Sequence, residues 1–111
     1  MSRTIARDCG FKLVFQEMFS TDFVVDNFFD DVELSAEEKD YALSILSAVK
    51  QNKTAIDEKL QAGLKKPFSL KDIYTLDHAI LLVAMAQIDY LNEEKGIAIN
   101  EAVKLAKKIF L

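Results

Sequence analysis

The sequence predicts an all-α fold, and three observations carry that prediction. Glycine and proline are scarce, three and one in 111 residues, while Ala, Leu, Lys and Glu are plentiful. Apolar residues recur at spacings of three and four through every long segment, the period of a helix with one buried face. Ser35 and Glu38, three residues apart before an apolar run, form a capping box that marks a helix start. No segment reads as a strand. Half of the residues are apolar, enough for a continuous core. A chain of this length makes one domain, burying about two-thirds of its unfolded surface.

The first helix is expected over residues 3–19. Ala6, Gly10, Leu13 and Val14 gather on one side, with small residues that let a neighbouring helix come close. Arg3, Arg7, Phe11 and Phe15 form a second stripe, each member about 40° further round than the last. A short second helix is expected in "STDFVVDNFFDD", from Phe23, Val24 and Phe28. The capping box opens a third, whose buried stripe is Tyr41, Ala42, Ile45, Leu46 and Val49. A fourth follows over Lys53–Leu64 with Ile56, Leu60 and Leu64 inward, and Gly63 is its stop. Pro67 breaks the pattern. Ser69 and Asp72 cap a short turn leading into "IYTLDHAILLVAMAQIDYL", apolar nearly all round and so the central helix. "NEEKG" is a polar loop. The last helix, "IAINEAVKLAKKIFL", is expected to turn Ile99, Val103, Ala106 and Phe110 inward. The outline is six to seven helices without a repeat or a linker.

Composition narrows the function. One cysteine, Cys9, excludes an internal disulfide and suggests a reducing cytoplasm. No run approaches the about 18 apolar residues of a membrane helix, and the N-terminus is not a signal peptide. The net charge of −4 is unevenly spread: residues 22–40 hold eight acids against Lys39 alone. The first helix, with Arg3, Arg7 and Lys12 against Asp8 and Glu17, is free to carry a local positive field. Sequence motifs for phosphate loops, dinucleotide binding, HExxH zinc sites or CxxC pairs are missing, so neither a cofactor nor a metal is expected. His78 is the lone histidine, and nothing pairs it with Cys9 or a serine for nucleophilic catalysis. The chain does not read as an enzyme. The arginine–phenylalanine stripe suits an anionic, flat ligand such as unpaired RNA. It equally suits the edge of a core, and spacing alone leaves both readings open.

A resemblance bears on that choice. "IAINEAVKLAKKIF" (97–110) strongly resembles V-A-I-N-E-A-V-x-L-A-K-K-F, a signature of the NusB family of bacterial transcription antitermination factors. "YTLDHAILLVAMAQIDYL" (74–91) is similar to that family's V-D-R-A-I-L-R-L-A-x-Y-E-L helix. "SRTIARDCGFKLVFQ" is similar to its opening S-R-R-x-A-R-x-x-A-x-x-x-L-Y-Q, and "DYALSILSAVKQNKTAID" aligns in spacing. The resemblance implies a single all-α domain over 1–111 of two three-helix subdomains, about 1–51 and 53–111. It implies binding of boxA RNA together with NusE, the ribosomal protein that doubles as a Nus factor, within the RNA polymerase antitermination complex. By the same resemblance the RNA-binding residues are Arg3, Arg7, Phe15 and Gln16, with Asp77 and His78 at the edge of the RNA path. Members form monomers or homodimers, and a dimer can cover the RNA face.

The chain departs from the pattern in several places. Thr4 stands where the family has a second arginine, and His78, Leu82, Ala86 and Gln87 replace Arg, Arg, Tyr and Glu. "NEEKG" lacks the usual proline. The chain ends at Leu111, where the family continues into a helix containing F-V-N-G-V-L, so a shortened or divergent member is expected. The alternative function is therefore a NusB-like protein-interaction module with little RNA affinity. A NusB-like domain of a ribosomal RNA methyltransferase is a third reading, but nothing here could bind a methyl donor.

Overall fold

Four α-helices and one 3-10 turn occupy the residues that the computed structural model describes: 3–19, 29, 33–65 and 69–110, with Ile109 and Phe110 as backbone only. They are α1 (Arg3–Phe19), α2 (Ala36–Gly63), the turn Leu70–Asp72, α3 (Thr75–Tyr90) and α4 (Lys95–Phe110). The all-α class is as expected; the number of six to seven helices is not. Apart from Phe29, the short helix expected in "STDFVVDNFFDD" lies outside the described residues. The two helices expected around residue 52 are one, with α2 running 28 residues without a break. Nothing between Lys50 and Thr54 is a breaker, and the polar side chains there support the helix. Asn52 donates to the Ala48 carbonyl at 2.9 Å, and Lys53 reaches Asp57 one turn on at 2.6 Å. The division expected near residues 51–53 is thus a point within one helix.

The predicted caps are present. The Glu38 amide donates to the Ser35 hydroxyl oxygen at 3.1 Å, and the Ser35 amide returns to the Glu38 carboxylate at 3.0 Å. At the 3-10 turn, the Ser69 amide and hydroxyl both donate to Asp72 Oδ2. α2 ends at Gly63.

α1 packs on α2 and α3, α2 on α3, and α3 on α4. Gly10 lets α1 and α2 approach: a Cβ there would lie 2.7 Å from Ile45 Cδ1 and 3.1 Å from its Cβ. One contiguous core runs through Phe11, Leu13 and Val14, then Ile45, Leu46 and Val49, then Ile80, Leu82 and Val83. Phe11 of the arginine–phenylalanine stripe is therefore core. The centrality of α3 is as expected, with Ala79, Ile80, Leu82, Val83, Ala84, Ala86 and Gln87 all buried.

α4 is rotated from its expected setting. Ile99 and Val103, expected inward, are about half exposed, and Ala98 is the buried residue. Ala98 and Ala102 face α3 and α1 because small side chains let the helices close up there, which leaves the branched stripe one position round. Ala106 is half-buried. None of the described helices is long and apolar enough to cross a membrane.

Candidate functional site

The arginines of α1 meet a carboxylate contributed from far along the chain. After α3 the backbone turns through Asn92 in the left-handed region (φ 57°), a conformation asparagine adopts more readily than most residues. The Glu93 amide then donates back to the Gln87 carbonyl at 2.9 Å. This turn folds Glu93 over the end of α3, where a single oxygen, Oε2, accepts three hydrogen bonds. They come from Arg7 Nη2 at 2.8 Å, Tyr41 Oη at 2.9 Å and Arg3 Nη1 at 3.0 Å. Gln87, buried in α3, donates Nε2 to the Tyr41 hydroxyl at 3.1 Å. The Arg3 guanidinium also lies over the Tyr41 ring, 4.7 Å from its centroid.

The two arginines are not equivalent. The Arg7 side chain is 8% exposed and Glu93 is 7%, a buried pair, whereas Arg3 is 51% exposed. Arg7 Nε is buried without a hydrogen-bond partner, so Arg7 depends on Glu93 for its charge compensation. Burial alone pushes the Glu93 carboxyl upward. The hydrogen bonds from Arg7, Tyr41 and Arg3 outweigh it and hold the group below its ordinary range.

Further along α1, Phe15 is half-buried between two rings. Phe11 stacks on it at 5.9 Å between centroids, and Phe19 meets it edge-on at 4.7 Å. Phe15, Phe19, Tyr74, Thr75 and Leu76 line a cleft of about 350 Å³, with Phe19 and Tyr74 largely exposed. Gln16 is exposed beside it. The first turn of α3 sends its two predicted residues different ways. His78 bonds Asp57 of α2 at 2.6 Å, and Asp77 lines a groove against α4. At Asp57 burial again works upward, and the bonds from Lys53 and His78 pull the carboxyl below its usual range.

The six predicted residues thus occupy separate places. Arg3 and Arg7 share Glu93 near the C-terminal end of α3. Phe15 sits beside the N-terminal end, about 18 Å from Arg3 by helical rise. Asp77 and His78 lie at that second end, away from the arginines. Sequence reading missed Glu93, Tyr41, Phe19 and Tyr74. Two arginines in a partly buried stripe call for an acid, but "NEEKG" read only as a polar loop. Cys9 is buried, and burial raises its pKa, which suits a packing residue rather than a thiolate. Among the described residues no cluster of His, Cys, Asp and Glu could hold a metal ion.

These features define a small all-α protein whose first helix carries one half-exposed arginine fixed on an aromatic ring and, further along, an open cleft of aromatic rings. Comparison with known proteins makes the class specific. The sequence profile of the NusB family matches residues 2–110. The transcription antitermination protein NusB of Bdellovibrio bacteriovorus is 33% identical over 111 residues, covering 96% of this chain and 82% of its own. That of Staphylococcus carnosus is 34% identical over 112 residues, covering 97% and 86%. That of Clostridium novyi is 31% identical over 116 residues, covering 97% and 85%. The chain belongs to the NusB family.

Proposed function

We propose that this protein is a transcription antitermination factor that binds boxA-type single-stranded RNA jointly with NusE, as a cytoplasmic component of the RNA polymerase antitermination complex. The observation that carries this reading is the family match across residues 2–110, together with the name its relatives bear. The geometry of α1 supports it. Arg3 offers a planar, permanently charged donor to a phosphate, already oriented by Glu93 and Tyr41. Phe15, with Phe19 and Tyr74 around the same cleft, offers faces to unstacked bases, which single-stranded RNA can present. Gln16 can donate to and accept from a base edge. In this reading Arg7 acts through its hold on Glu93, and Asp77 and His78 border the far end of the RNA path. The role is binding, not catalysis.

Fluorescence anisotropy of a labelled boxA oligonucleotide, with and without NusE, tests the proposal. Phe15→Ala is expected to cost about 1–3 kcal/mol of binding through lost base stacking. Arg3→Glu is expected to weaken binding further at low salt than at high salt. Affinity unchanged in both variants removes α1 from the RNA site.

A second reading has its own observation. Arg7 is internally neutralised and Arg3 partly so, which thins the cationic face and favours a protein-interaction module with little RNA affinity. A protein complex that survives high salt, with no preference for boxA over scrambled RNA, supports that reading instead.

A further inference from the structure

α3 and α4 form an antiparallel hairpin, and one face of it is open. A groove of about 490 Å³ runs between them, walled by Ile80, Ala84 and Ile88 on one side and by Ile99 and Val103 on the other. Ile99 and Val103 are 48% and 47% exposed. None of the described lining residues comes from α1, so this face is separate from the arginine–carboxylate cluster. The two charged residues among those described in the lining are Asp77, at the start of α3, and Lys95, at the start of α4. Because the hairpin is antiparallel, the two starts lie at opposite ends of the groove. The span from Asp77 to Ile88 is about 16 Å, or three helical turns.

We propose that a second copy of this chain fills the groove, two α3–α4 hairpins packing face to face as a four-helix bundle. A hairpin with an open apolar face is half of such a bundle, and a two-fold axis makes the same patch serve on both sides. The charges choose between the two axes that bring the faces together. An axis parallel to the helices places Asp77 beside Asp77 and Lys95 beside Lys95, which repels at both ends. An axis in the interface but perpendicular to the helices reverses one hairpin, so that Asp77 of each copy meets Lys95 of the other. The reversed arrangement is the one assigned. It gives each end of the bundle an acid–base pair at the rim and leaves Ile99 and Val103 in the dry centre. The proposal requires no RNA contact and stands apart from the function proposed above.

Sedimentation equilibrium of the full chain across the micromolar range, without RNA, tests it. The expected result is a reversible dimer. Ile99→Glu with Val103→Glu is expected to give a monomer of unchanged helical circular dichroism, since both positions are exposed in the single chain. Asp77→Lys alone and Lys95→Glu alone are each expected to weaken the dimer about tenfold, because the two-fold axis counts each change twice. The two together are expected to restore it. A monomer throughout the range overturns the proposal, as does a dimer that persists when Ile99→Glu and Val103→Glu are combined. A combined charge swap no tighter than either single change overturns the reversed arrangement.

Discussion

Replacing Glu93 by alanine is the sharpest test of how α1 is held. The Glu93 and Arg7 side chains are 7% and 8% exposed, so the substitution strands a guanidinium in a place built for a neutral pair. Breaking a buried ion pair from one side costs about 3–5 kcal/mol, because the remaining charge stays desolvated. Tyr41 and Arg3 lose the same acceptor. Arg3 is half exposed and finds water, so its loss adds little. Against a total stability of about 5–15 kcal/mol for a small domain, this is a large fraction. Urea unfolding followed by circular dichroism measures it, and the melting temperature is expected to fall by roughly 10–20 °C. A partner variant isolates the cause. Glu93→Leu combined with Arg7→Met removes both charges, and it is expected to be more stable than Glu93→Ala alone. A cost below about 1 kcal/mol, or a double variant no better than the single one, refutes the buried-pair reasoning. The pH dependence has a fixed sign. Glu93 has a folded pKa below its ordinary 4.5, so its contribution is full above the unfolded value and is lost as pH falls through the folded one. Wild-type protein is therefore expected to lose stability in acid, and Glu93→Gln to show a shallower acid limb.

Three further outcomes follow from the same geometry. Gly10→Ala gains about 1 kcal/mol of helix propensity but puts a methyl group 2.7 Å from Ile45 Cδ1. Overpacking of about 1–3 kcal/mol should win, and urea titration is expected to register a net loss. Ser35→Ala removes the acceptor for the Glu38 amide and is expected to cost about 1 kcal/mol by the same measurement. If α1 binds RNA, Arg3→Gln should flatten the slope of log affinity against log salt by about 0.7. Arg7→Gln should leave that slope alone and lower the melting temperature instead; equal slope changes for both would contradict the different burial of the two arginines.

The fold was legible where local chemistry decides it. The capping box at Ser35, the turn at Ser69, the stop at Gly63 and the core faces of α1 and α3 all depend on neighbours within a few residues. Two features were not readable that way. The unbroken run through residue 52 needs only the absence of a breaker, and a drift in the apolar stripe there imitated a boundary. The rotation of α4 depends on which of two adjacent stripes the rest of the core accepts. Ile99 and Val103 are the more hydrophobic choice, and Ala98 and Ala102 are the closer-packing one. Sequence weighs hydrophobicity and does not see interhelical distance.

The candidate site divides along the same line. Arg3, Arg7 and Phe15 were visible because their spacing places them along one side of a helix. Glu93 was not, since it joins them from 86 residues beyond Arg7 through a left-handed turn at Asn92. Its presence alters what the stripe can offer. A buried Arg7 contributes no free charge to a ligand, so counting arginines overstates the cationic face. The same carboxylate fixes one nitrogen of Arg3 while Tyr41 supports the guanidinium plane, and half of the side chain still faces solvent. Much of the rotamer entropy an arginine loses on binding, about 2 kcal/mol for a free side chain, is thereby lost in folding. Lysine could not reproduce this, because a point charge held by Glu93 has no second planar edge to present. Fewer free cations and one better oriented cation are two consequences of a single carboxylate.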